Sequence, residues 1–109
     1  MILVTTETVP GRSIERSVGL VRGNTVRAKH LGRDIVAALR NLVGGEISEY
    51  SELMTEARNE ATNRMIEQAE SSGADAVVGI RFITAQIGAG SAELVAYGTA
   101  VKLAPREQG

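Results

Sequence analysis

The 109-residue sequence has no cysteine and no tryptophan, a single histidine (His30) and two prolines. Without cysteine there is no disulfide framework, no thiolate nucleophile, no cysteine zinc site and no iron–sulfur cluster. Tyr50, Phe82 and Tyr97 are the only aromatic residues. The core must therefore be built from Val, Ile and Leu over many small side chains, which 14 alanines and 12 glycines supply. No apolar run approaches the roughly 18–20 residues needed to cross a bilayer. The first six residues lack the basic start and long apolar stretch of a signal peptide. The expectation is a cytoplasmic protein with no membrane partner. A net charge of −1 argues against a general nucleic-acid binder, which needs a basic excess.

An apolar content of 43 % suits one packed domain, expected over residues 1–104, with a polar tail at 105–109. The small net charge hides an asymmetry. Residues 1–47 carry +3 and residues 48–109 carry −4, a split that surfaces of neighbouring subunits can pair.

Two β-rich segments open the chain, over 2–6 and 14–28, separated by the turn signal Pro10-Gly11. Alternation in the second is imperfect, and Gly19 and Gly23 are candidate bulges or bends. The period then changes. Leu31, Ile35, Leu39 and Leu42 predict an amphipathic helix over 31–43, closed by Gly44-Gly45. A second, longer helix is expected over 49–71, with Ser48 as N-cap and Gly73 as the stop. Met54, Ala57, Ala61, Met65 and Ala69 line its apolar face. Strands over 76–87 and 93–103 flank Gly88-Ala89-Gly90-Ser91 and read as a hairpin. Leu94, Ala96, Gly98 and Ala100 then share one strand face, small enough for close approach by a helix.

Chemistry-bearing groups are sparse. The glycine loop lacks the third glycine and following helix of a nucleotide fingerprint. His30 has no nucleophile beside it to activate. Glu49, Glu52, Glu56 and Glu60 form one acidic stripe on the long helix, with Arg64 four residues beyond. Glu52 and Glu56 are the candidate ligands for a divalent metal ion, of the hard type that prefers oxygen. Arg81, Glu93 and Tyr97 are polar groups inside strand patterns. Arg81 and Glu93 are placed to pair across the hairpin, and together with Arg64 and Tyr97 they are the candidate ligand-binding residues.

Several blocks carry a family likeness. Gly32-Arg33-Asp34-Ile35, Leu39-Arg40-Asn41-Leu42-Val43-Gly44-Gly45-Glu46, Gly73-Ala74-Asp75-Ala76-Val77-Val78-Gly79-Ile80-Arg81-Phe82 and Ala96-Tyr97-Gly98-Thr99-Ala100-Val101 closely resemble the YbjQ-like family, which carries a heavy-metal-binding label. The likeness spans about residues 2–103. It implies a two-layer α+β domain, an antiparallel sheet packed against two helices in the order β-β-α-α-β-β, similar to dodecin-type subunits and assembled as pentameric rings. The sequence departs from the family pattern at Ile83 and Gln86, where an acidic residue is common. The functional expectation is a non-enzymatic, homo-oligomeric ring that binds a metal ion or small ligand at its interfaces. The alternatives are an enzyme whose site assembles between subunits from Arg64, Arg81, Glu93 and Tyr97, and a purely structural or adaptor ring.

Overall fold

The computed structural model describes residues 1–27, 48–86 and 92–106. Within them the order is β1 (Ile2–Leu3), β2 (Ile14–Arg27), α1 (Ser48–Ser71), β3 (Ala76–Gln86) and β4 (Ala92–Leu103). This is an α+β arrangement with one sheet in the spatial order β1-β3-β4-β2. The expected hairpin forms between β3 and β4, with Gln86 opposite Ala92. Its glycine loop, the helix expected over 31–43 and His30 lie outside the described residues. Among the described residues, no helix is long and apolar enough to cross a membrane.

The sheet is mixed rather than antiparallel. β1 runs parallel to β3, with Ile2 opposite Ala76 and Leu3 opposite Val77. A hairpin announces itself through its turn, whereas parallel partners are joined by a long crossover and leave no local signature. The ladder of β1 is shorter than the expected 2–6, because β3 carries a bulge. Its register shifts by one residue between Val78 and Arg81, and Gly79 sits there with φ +63°, a conformation that costs glycine little. The backbone remains paired through this stretch. Val4 N–H donates to the Val77 carbonyl at 3.0 Å, and Gly79 N–H to the Thr6 carbonyl at 2.8 Å. The extra residue places Val77 and Ile80 both under the helix and turns Arg81 to the opposite face.

α1 buries the face expected of it. Ala57, Ala61, Met65 and Ala69 are buried, Met54 packs beside them, and the sheet answers with Val21, Val77, Ile80, Leu94, Ala96 and Ala100. The helix ends at Gly73. There Gly73 N–H reaches the Glu70 carbonyl at 3.0 Å and Ala74 N–H the Ala69 carbonyl at 3.1 Å, the paired bonds of a Schellman cap. Thr25 is buried, but its hydroxyl donates to the Ala57 carbonyl at 3.2 Å.

The glycines of β2 divide in role. A register shift between Ser17 and Gly19 explains the imperfect alternation. Gly23 is neither bulge nor bend, since its pairing with Ala96 is regular. Instead α1 passes directly over it. A Cβ at position 23 would collide with the Ala61 carbonyl and the Met65 amide.

On the other face, Val4 and Val9 of the N-terminal segment cover Ala76, Val78, Val101 and Leu103. Asp75 ties three strands at this end. Its carbonyl accepts from Ile2 N–H at 3.3 Å, its N–H donates to the Val101 carbonyl at 2.9 Å, and its Oδ2 accepts from Leu103 N–H at 2.9 Å. The Leu103 bond holds the Asp75 carboxyl below its ordinary pKa against an opposing desolvation, helped by Lys102 at 3.6 Å and the charge of Arg12. Beyond this patch, no described residue of the chain packs over the face. The structure measures 60 × 26 × 16 Å, with a Cα radius of gyration of 17.6 Å. A compact chain of this length would have about 13 Å.

Two outcomes follow. Gly23→Ala forces a methyl against helix backbone and should lower stability by about 2 kcal/mol or more in urea unfolding. A loss under about 0.5 kcal/mol would mean that α1 does not sit there. Because the folded Asp75 pKa is depressed, its contribution is present above the unfolded pKa and fades as pH falls through the folded one. The gap in urea midpoint between wild type and Asp75→Asn should therefore narrow as the pH is lowered through the ordinary carboxyl value of 3.8 and below it.

Candidate functional site

The open part of the sheet face opposite α1 contains most of the polar strand residues that the sequence singles out. Across the three adjacent strands β2, β4 and β3, Arg22, Tyr97 and Arg81 stand in one row. The next row is Asn24, Val95 and Ile83. Leu20 lies to the other side, opposite Thr99. Leu20 is 70 % exposed and Ile83 52 %. Two arginines thus flank a tyrosine, with large apolar side chains above and below.

Arg81 is fixed by the N-terminal segment. Its Nη1 donates to the Thr5 carbonyl and to the Ile80 carbonyl, both at 2.8 Å. Both Nη1 protons are then committed, and the guanidinium is held at the rim of a groove of about 460 Å³. Val78 and Val101 give this groove an apolar floor, Ser17 and Thr99 bring hydroxyls, and Glu7 adds an acidic residue to the lining. Such a mixture orients a small ligand by its polar end while covering its apolar part.

Glu93 shares this face but not this site. It lies four residues from Tyr97 along β4, about 13 Å at the rise of a strand, and accepts from Asn24 Nδ2 at 3.4 Å. The expected Arg81–Glu93 pair does not form, because the register sets Arg81 opposite Tyr97 and Glu93 opposite Ala85. The bulge at Gly79 and the length of the hairpin decide that register.

Arg64 is placed elsewhere. It projects from α1, on the helix side of the sheet, where Nη1 donates to the Asn24 carbonyl at 2.6 Å and Nη2 pairs with Glu60. One turn on, Gln68 Oε1 accepts from Arg22 N–H at 2.6 Å. Together these two side chains engage the outer edge of β2, a row of backbone groups that would otherwise be open to pairing. Within the chain Arg64 therefore acts on the β2 edge, apart from Arg81 and Tyr97.

The metal candidates are separate again. Glu56 is exposed on α1, and of Glu52 only the helical backbone is described. Among the described residues, no three His, Asp or Glu side chains converge. Met65 is fully buried and Met54 packs on the same core, so these thioethers are committed to the helix–sheet contact. Soft metal ions favour sulfur and imidazole. The described residues of a single subunit do not fit such a centre.

Two members of the site, Arg22 and Glu7, are not among the residues singled out from the sequence. The signal for Arg22 is its pairing with Tyr97, which depends on the bulge at Gly19 and cannot be counted along the chain.

The geometry can be set beside known proteins. A family model described as "Putative heavy-metal-binding" matches residues 1–104. A UPF0145 protein of Archaeoglobus fulgidus is 61 % identical over 94 % of this chain and 95 % of its own length. One of Methanosarcina acetivorans is 55 % identical over 97 % of this chain and all of its own, and one of Vibrio campbellii is 60 % identical over 94 % and 99 %. The crystal structure of a protein of unknown function from Pediococcus pentosaceus has a similar fold, with a TM-score of 0.63 at 16 % identity, covering 95 % of this chain and 98 % of that one. With a match from the first residue to the end of β4, and relatives more than half identical across nearly their whole lengths, the chain belongs to the YbjQ-like family.

Proposed function

We propose that the protein is a non-enzymatic subunit of a homo-oligomeric ring, a pentamer of dodecin-like subunits, that binds a small ligand where subunits meet. The observation that carries this reading is the one-sided finish of the sheet. α1 covers most of its own face over small residues and leaves Phe82 exposed there, whereas the opposite face leaves Leu20 and Ile83 exposed around the Arg22–Tyr97–Arg81 row. A neighbouring copy laid on that face buries the apolar residues and closes the groove beside Arg81 and Glu7.

A divalent cation is the second ligand class. Glu52 and Glu56 lie on one helix stripe, and ring symmetry brings identical carboxylates together that one subunit cannot converge alone. The enzyme reading is less well supported. Tyr97 and Arg81 adjoin, but Glu93 is about 13 Å along the strand, and Arg64 serves the β2 edge.

Native mass spectrometry at micromolar concentration tests the ring. Five copies are expected, and Ile83→Glu should shift the population to smaller species. A stable wild-type monomer overturns the proposal. Titration calorimetry of the assembled protein with Ca²⁺, Mg²⁺ and Zn²⁺ tests the cation. A dissociation constant below about 1 mM supports the cation reading, and no heat at that level rejects it.

A further inference from the structure

A second cleft, of about 540 Å³, lies at the end of the β2–β4 ladder, between the loop before β2 and the chain after β4. Arg12 and Arg106 line it together with Ser13, and no carboxylate is among its described lining residues. Arg12 is held in place from two sides. Its N–H donates to the Val9 carbonyl at 3.0 Å, closing the Pro10-Gly11 turn, and its Nη2 donates to the Ala104 carbonyl at 3.2 Å. Ala104 N–H in turn donates to the Ser13 carbonyl at 2.8 Å, which fixes the two walls together.

One donor in this arrangement is left over. Arg12 Nε is shut off from solvent and has no acceptor among the described residues. A buried donor on a permanent cation is costly to leave unpaired. Asp75, whose carboxyl feels the Arg12 charge, does not fill the role. Its oxygens are engaged by Leu103 N–H and Lys102 Nζ. The two guanidinium groups and a hydroxyl residue, with no carboxylate among the described residues that line the cleft, make a receptor for a doubly charged oxyanion.

We propose that the cleft between Arg12 and Arg106 binds a phosphate group, either free or carried by a small molecule. This site is separate from the groove beside Arg81 and does not depend on the ring reading.

The test is a nitrogen-15 NMR titration of the full chain at pH 7 and constant ionic strength, with inorganic phosphate in one arm and glycerol phosphate in the other. The Arg12 Nε–H and Ser13 amide resonances should shift and saturate in the millimolar range or below, while the Tyr97 amide stays in place. Arg106→Gln leaves the Arg12–Ala104 tie intact and should weaken binding about tenfold. Tighter binding of the ester supports a phosphorylated metabolite, and equal binding supports free phosphate. Shifts that fail to saturate in both arms, or an unchanged affinity in Arg106→Gln, would overturn the proposal.

Discussion

α1 rests on β2 at a spacing that only a hydrogen atom at position 23 permits. The Ala61 carbonyl and Met65 amide occupy the space a side chain would take. Ala57, Ala61 and Ala69 on the helix, and Ala96 and Ala100 on β4, keep the rest of the seam equally thin. Close approach brings many atoms into contact at once, which compensates for small side chains when dispersion is summed over the interface. It also brings Arg64 and Gln68 within reach of the β2 backbone. The exposed edge of the sheet is thereby occupied by the same helix that covers its face. Met65, the largest fully buried side chain on α1, fills the depth that the alanines leave.

This seat divides the molecule into a finished side and an open side. On the finished side, α1 buries Val21, Val77, Ile80, Leu94, Ala96 and Ala100 and ends on a satisfied cap, with Phe82 exposed on the same face. On the open side, Val4 and Val9 cover only the far end of the sheet, over Val78 and Val101. Arg81 marks the boundary, since its guanidinium binds the Thr5 carbonyl and borders the uncovered row. Leu20 and Ile83 remain exposed in an otherwise ordered pair of strands. Single apolar residues on a surface are ordinary, but these two flank the Arg22–Tyr97–Arg81 row on either side.

Much of the finished side is legible in the sequence. The Met54, Ala57, Ala61, Met65, Ala69 spacing gives the buried face of α1, and Gly73 gives its end. Alternation in 94–100 gives the helix-facing side of β4. These features depend on neighbours three or four positions away, or on period-two alternation. What the sequence does not disclose is set by pairing across long separations. The parallel place of β1 beside β3 has no turn to announce it. Gly79, in the middle of an apolar run, signals a bulge, but only the register shows that Arg81 is thereby turned toward Tyr97. Glu93 looks like a partner for Arg81 by hairpin arithmetic, and the ladder sets them apart. Gly23 looks like a bend until the helix over it is seen.

The central claim is that the open face is covered by another copy of the chain. The absence of native cysteine allows it to be tested with single thiols placed at the exposed apolar positions. In Leu20→Cys and Ile83→Cys, the rate of maleimide labelling should be at least about tenfold lower in the assembled protein than in the urea-unfolded chain, and should rise on dilution into the dissociated state. Labelling of both thiols at the unfolded-chain rate, at concentrations where the protein is folded, would contradict the account.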